Sequence, residues 1–283
     1  MKKVVITGGN GLLGKVVVKH FVSEGYEVVT VDRAQSTISG VKSIIADLTN
    51  LGECYGILQG ADAVVHLAAI PVAYSHPNEV TFQNNVMSTY NILEACSGLG
   101  IQKAVIASSE SSYGICFSKK NLSPQYVPID EEHPQLPEDC YGLSKIVNEK
   151  TGDMFNRRTG MQVVALRIGN VITPEKYSDF PGFIDNIHAR SSILWSYIDA
   201  RDAARACQKS IEVDGLGSVA INLANNNTSM NIKNDELMKA NFPEVTDIRI
   251  PLDNYDSLLS NKRAKELLDW EPIYNWRDEV EIG

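Results

Sequence analysis

An α/β fold built on a doubly wound parallel sheet is what this 283-residue chain predicts, on three observations. Short β-branched runs alternate with helix-periodic segments through residue 168. The runs are apolar throughout, as strands covered on both faces are. The first run ends in a glycine-rich stretch that opens the first helical segment. Alternation of this kind places parallel strands in one sheet with helices on both sides.

The elements follow in order. "KVVIT" (3–7) is the first strand, and 11–25 has helical periodicity up to Gly25. Strands follow at 27–31 and 41–47, with a helix-like stretch through Leu58. "ADAVVHLAA" (61–69) is a fourth strand, 84–100 a long helix and 103–108 a fifth strand. A helix from Tyr141 to about Arg158 leads to a sixth strand at 162–168. Residues 110–139 carry four prolines and no periodicity, and a loop of that length tends to be functional. Past residue 170 the pattern weakens to a helix at 199–212, a strand at 218–224 and short helices at 234–242 and 261–270. The expected division is 1–168 as the sheet domain and 169–283 as a smaller substrate lobe, with helix 199–213 and strand 218–224 packing back on the sheet.

Composition excludes several classes. Lys plus Arg total 26 against 35 Asp plus Glu, a net charge of −9. That balance argues against nucleic acid and anionic membranes as partners. The five cysteines form no C-x-x-C pair, which fits reduced thiols and neither a disulfide framework nor a metal site. Met1-Lys2-Lys3 runs directly into "VVIT", too short for a signal peptide, and no apolar run reaches membrane-spanning length. A cytoplasmic protein is expected.

"TGGNGLLG" (7–14) satisfies G-x-G-x-x-G through Gly9, Gly11 and Gly14, and T-G-x-x-G-x-x-G through Gly8, Gly11 and Gly14. Such a loop turns tightly, lets backbone approach a pyrophosphate and leaves room for close helix–strand packing. The helix N-terminus, here Leu12 and Leu13, then faces the phosphates with free N–H groups. Asp32 ends the second strand, where an acid accepts from the adenosine ribose of NAD and repels a 2′-phosphate. Arg33 beside it suits NADP, so NAD is favoured and NADP is the lesser alternative.

With these features go "VDR" (31–33), "ADLTN" (46–50), "VVHLAA" (64–69), "NNVMSTYNILEA" (84–95), "SSESSYG" (108–114), "DEEHPQLPEDCYGLSK" (130–145) and "LLDWEP" (267–272). Together they make the chain resemble the extended short-chain dehydrogenase/reductases, the group of NAD-dependent epimerases and dehydratases, whose fold is a Rossmann-type sheet. The resemblance implies that Asp47 and Leu48 border the adenine, and that Leu67, Ala68, Ala69, Ser108 and Ile168 line the cofactor site. It makes Asn85 a structural Asn of the long helix and Ser109 the catalytic hydroxyl. Tyr141 and Lys145 match the family's Tyr-x-x-x-Lys pair, in contact with both cofactor and substrate. It also implies a homodimer through helices 84–98 and 141–158.

The physical roles are consistent. A phenol titrates near 10, and a neighbouring ammonium together with a positive nicotinamide lowers that value. Tyr141 can then take a proton from a substrate hydroxyl as hydride leaves. Ser109 holds the substrate oxygen and steadies its developing charge.

Two departures narrow the chemistry. Glu110 and Ser111 stand where dehydratases carry an Asp-Glu pair, so dehydration is disfavoured. The stretch between "LRIGNVITPE" and "ILWSYIDARDAA" is short, leaving less protein to hold a nucleotide sugar, a layout similar to the uronate dehydrogenases. The expected activity is oxidation of a small sugar or sugar acid. A nucleotide-sugar epimerase and a non-catalytic dinucleotide sensor are the alternatives. Candidate substrate contacts are Ile70, Ser75, His76, Ser109, Glu110, Ser111, Asn170 and Arg167. A lone loop histidine such as His76 is more often just solvated, and Glu110 suits a solvated loop residue equally well. Arg167 suits either a bidentate pair with a substrate carboxylate or a salt bridge beneath the sheet. No metal is expected.

Overall fold

A computed structural model describes residues 2–120 and 122–280. Seven strands form one parallel sheet. They are β1 (Lys3–Thr7), β2 (Glu27–Asp32), β3 (Lys42–Ile45), β4 (Ala63–His66), β5 (Lys103–Ser109), β6 (Gln162–Ile168) and, late in the chain, Ser218–Leu223. Their order is β3-β2-β1-β4-β5-β6 followed by the late strand, which pairs with β6 from Val163↔Ser218 to Ile168↔Leu223. The strand order reverses beside β1, which lies between β2 and β4. Open α/β sheets bind ligands at such a point, beyond the strands' carboxyl ends.

Helices cover both faces. One face carries α1 (Leu12–Ser23), with Val17, Val18 and Phe21 buried in the same cluster as Val4, Ile6 and Leu166. The other carries α2 (Leu51–Leu58), α3 (Asn78–Leu99) and α4 (Cys140–Thr159), with α3 packed along α4. Each helix has a recognisable boundary. Asn50 Oδ1 accepts from the Gly52 and Glu53 amides, Asp139 Oδ1 accepts from the Gly142 amide, and Gly100 and Gly160 end α3 and α4 in left-handed conformation. Helix α3 starts six residues before the sequence pattern indicates. Pro77 precedes its first turn, and polar residues there hide the apolar stripe.

Beyond β6 come a two-residue parallel pair, β7 (Val171–Ile172) with β8 (Ile198–Asp199), and α5 (Ala200–Glu212), packed on α1. The late strand, β9, follows, then α6 (Asn234–Asn241), α7 (Lys262–Leu268) and α8 (Trp276–Glu279). Two clusters lie outside the sheet's own core. Trp195 packs with Met230, Leu237 and Leu258, and Phe180 packs with Tyr177, Tyr197 and Trp276. The proline-bearing stretch 110–139 bridges to the first of them, with Val127 paired to Ile248 and Ile129 to Leu259.

Candidate active site

A cavity of about 780 Å³ runs along the carboxyl edge of the sheet, from the glycine loop to the N-terminus of α4. Gly8, Gly11 and Gly14 line it and Gly9 does not, so the loop reads in its T-G-x-x-G-x-x-G register. Gly8 has φ +71°, and a Cβ there would lie 2.6 Å from the Ala68 nitrogen. A Cβ on Gly14 would strike the Gly8 carbonyl oxygen. The cradle is therefore backbone that no side chain can share, opening on the N-terminus of α1, whose first turn holds no acidic residue and whose cap, Gly11, makes no side-chain bond. That suits a pyrophosphate. Asp32 stands at the edge with its carboxylate oriented by backbone: Oδ2 accepts from the Asn10 amide at 2.9 Å and Oδ1 from the Arg33 amide at 2.7 Å. The Arg33 guanidinium donates to Asn84 Oδ1 at 2.7 Å and lies 4.0 Å from Asp47. These residues fit an adenine dinucleotide.

At the far end, β5 delivers Ser109 and α4 delivers Tyr141 and Lys145, one turn apart on a single helix face. The Asp139 cap sets where that helix begins, and therefore where Tyr141 points. Lys145 Nζ donates to the Ala107 carbonyl at 2.7 Å and lies 5.2 Å from the Tyr141 ring centroid. Ser109 Oγ donates to Ser111 Oγ at 3.0 Å and accepts from the Ser111 amide. Burial dominates both titrations. It pushes the Tyr141 phenol up to about 12, with the Ser109 hydroxyl opposing and Cys116, Glu110 and Asp139 reinforcing. It pulls the Lys145 ammonium down to about 8, with Glu149 opposing. The chain alone thus raises the phenol where the sequence predicts lowering, because a water-poor cleft disfavours phenolate and ammonium alike. Glu110 is half-buried, its Oε2 accepting from Ser196 Oγ at 2.5 Å, and burial lifts its carboxyl to about 7.

A family model described as the NAD dependent epimerase/dehydratase family matches residues 4–224. The chain belongs to that family. Its members use NAD(P), and the nucleotide-binding Rossmann architecture of this chain is theirs. L-arabinose 1-dehydrogenase (NAD(P)(+)) of Haloferax volcanii is 26% identical over 246 residues, covering 85% of this chain and 94% of that protein. UDP-glucose 4-epimerase of Rhizobium leguminosarum bv. trifolii is 26% identical, covering 96% and 93%. Among solved structures, a short-chain dehydrogenase/reductase superfamily protein from Agrobacterium tumefaciens with bound NAD superposes with a TM-score of 0.75 at 21% identity, covering 98% and 94%. Epimerases and dehydrogenases both stand among this family member's relatives.

The cavity brings together most of the residues singled out from the sequence: the three glycines, Leu12, Leu13, Asp32, Arg33, Leu48, Leu67, Ala68, Ala69, Ile70, Ser108, Ser109, Glu110, Ser111, Tyr141, Lys145, Ile168 and Asn170. Five lie outside its lining. Asp47 is exposed and caps its own turn by accepting from Thr49. Asn85 is buried and clamps the Ile70 peptide, accepting from its N–H at 2.8 Å and donating to its C=O at 3.0 Å. Ser75 and His76 are exposed and bond to each other. Arg167 is buried away from the cleft. It donates twice to Glu149, at 2.9 and 2.8 Å, once to Tyr113 Oη and once to the Glu131 carbonyl. The salt bridge beneath the sheet is the arrangement realised, because side chains alternate along β6: Ile168 lines the cavity and Arg167 takes the other face, where Glu149 of α4 meets it. Sequence reasoning missed Asn10, Thr49, Asn84, Cys116, Phe117 and Ile193. Asn10, Thr49 and Asn84 lie inside the motifs at 7–14, 46–50 and 84–95, which is the signal that marks them. Phe117 and Ile193 come from aperiodic loops and carry no signal.

Proposed function

We propose that this family member is an NAD-dependent dehydrogenase that oxidises a hydroxyl of a small sugar or sugar acid, with Ser109, Tyr141 and Lys145 as its catalytic residues. The observation carrying this reading is the shape of the cavity's substrate end. Of the segment 173–197, where a nucleotide clamp would have to be built, only Ile193 lines the cavity. The segment instead turns inward, burying Tyr177, Phe180 and Tyr197 against Trp276. A cavity of about 780 Å³ lies within the range of about 300–1,000 Å³ that holds one ligand of moderate size.

NAD, when bound, supplies the hydride acceptor. Ser109 holds the reacting hydroxyl and Tyr141 takes its proton. The Lys145 ammonium, held by the Ala107 carbonyl, favours the phenolate electrostatically and so opposes the burial that keeps the phenol protonated. Asp32, with both oxygens oriented by backbone amides, supports NAD over NADP. Exposed Val80, Met87 and Leu143 on α3 and α4 support a homodimer through those helices. The setting is cytoplasmic, with no nucleic-acid or membrane partner; among the described residues no helix is long and apolar enough to cross a membrane. Accumulation of reduced nicotinamide with a free sugar or sugar acid, followed by absorbance, tests the reading. Interconversion of UDP-sugars without net reduction would replace it with the epimerase.

A further inference from the structure

The substrate end of the cavity has a charge pattern that the family alone does not dictate. Glu110 follows Ser109 directly, and both residues line the cavity. Ser196, buried and outside the lining, donates its hydroxyl to one of the carboxyl oxygens. The lining beside Glu110 is neutral (Ser111, Asn170, Cys116, Phe117 and Ile193), while the Asn170 backbone and the Arg190 guanidinium, which stands outside the lining, both favour its charged form.

Cations near this end are all committed elsewhere. Arg167, the strand-end candidate for holding a carboxylate, is spent on Glu149 outside the cavity. Lys145 lines the cavity but is bound to the Ala107 carbonyl beside Tyr141. Arg33 lines the opposite, adenine end. Arg190 is outside the lining; its Nε donates to Ser229, its Nη2 to Asn170 Oδ1 and the Ser196 carbonyl, and it stacks 4.9 Å from the Phe183 ring. Lys119 lies over the Tyr74 ring, also outside the lining. A substrate carboxylate or phosphate here would meet the Glu110 carboxyl, and among the described residues Lys145, bonded to the Ala107 carbonyl, is the one lining cation at this end. A buried charge without a partner is strongly disfavoured, whereas a sugar hydroxyl can hydrogen-bond the Glu110 carboxyl in either of its protonation states.

We propose that the substrate is an uncharged polyhydroxylated sugar, not a sugar acid or a sugar phosphate, and that Glu110 sets this preference by accepting a hydrogen bond from a hydroxyl other than the one oxidised. The proposal rests on the dehydrogenase reading above and selects within it. It also assigns Glu110 a role apart from acid catalysis of dehydration. Asn170, with its Oδ1 taken by Arg190, keeps its amide hydrogens for a second sugar oxygen.

The test uses the full chain with NAD and a panel of aldopentoses, aldohexoses, hexuronates, hexose 6-phosphates and UDP-hexoses, reading kcat/KM from nicotinamide absorbance. An uncharged aldose is expected to exceed the matching uronate by at least tenfold. Glu110→Gln keeps the shape and a bond to Ser196 while removing the charge; it is expected to raise the uronate-to-aldose ratio at least tenfold and to leave the Kd for NAD unchanged. A wild-type preference for a uronate or a phosphate would overturn the proposal and leave the dehydrogenase standing. So would an unaltered ratio in the variant. UDP-hexose interconversion with no net reduction by any sugar would overturn both. Should Glu110→Gln fail to fold, uronate inhibition of aldose oxidation by the wild type decides: a Ki at or below the aldose KM overturns the proposal.

Discussion

Replacing Arg167 with Met tests the reassignment of this residue from substrate contact to structural ion pair. The guanidinium is 5% exposed and makes four hydrogen bonds, two of them to Glu149. Glu149 is 6% exposed and also accepts from Ser108 Oγ at 2.6 Å and Gln135 Nε2 at 3.3 Å. Those two neutral donors cannot replace a buried cation, and Lys145, the other cation that Glu149 acts on, stays bonded to the Ala107 carbonyl. Removing one partner of a buried ion pair leaves the other uncompensated and costs about 3–5 kcal/mol. Tyr113 keeps Asn222 as a partner at 2.6 Å, so its side adds little. The expected loss in urea denaturation is therefore about 4 kcal/mol for Arg167→Met. Exchanging both residues, Arg167→Met with Glu149→Met, removes the stranded charge; a coupling of about 2 kcal/mol or more is expected between them. The ratio of kcat/KM values for uronate and aldose should stay within about twofold of wild type in any soluble single variant, because Arg167 lies outside the cavity. A stability loss below about 1 kcal/mol, combined with a rise in KM confined to acidic substrates, would refute the reasoning and return Arg167 to the substrate.

Tyr141→Phe is expected to lower kcat by about 10²-fold or more while the Kd for NAD changes little, since the phenol's task is proton transfer; equilibrium dialysis against single-turnover absorbance separates the two. Gly14→Ala is expected to weaken NAD binding by at least tenfold in a fluorescence titration with reduced cofactor, because the added Cβ meets the Gly8 carbonyl; wild-type affinity would mean that the loop yields freely. The Glu110 carboxyl is raised from 4.5 to about 7 in the fold, so the folded chain holds this proton where the unfolded chain has lost it. Its contribution to stability is full below about pH 4.5 and declines as pH rises to about 7. Glu110→Gln should accordingly match the wild type near pH 5 and exceed it at pH 8 by about 1–3 kcal/mol; a gain that grows on acidification would show the sign to be wrong. Buried His66 is pulled down to about 3 by desolvation, held neutral between Thr7 and Thr89. Stability should therefore fall as pH drops from about 6.5 toward 3, measured by denaturation midpoints across that range.

Local pattern carried much of this protein. The run of apolar strands and periodic helices determined the parallel sheet, since a strand covered on both faces has to be apolar along its length. The glycine spacing determined the cradle, because a Cβ at Gly8 or Gly14 would collide with backbone. The i, i+4 spacing of Tyr141 and Lys145 determined that they share a helix face. Tertiary structure alone decided the rest. It chose between two glycine registers, fixed the register of β9 beside β6, and folded segment 173–197 into its own aromatic cluster away from the cleft. It also turned Arg167 inward to Glu149 and placed Glu110 in the lining of the substrate end. Periodicity reports which side of an element is buried. It does not report what that side meets, and charge partners brought together from distant parts of the chain depend on that meeting alone.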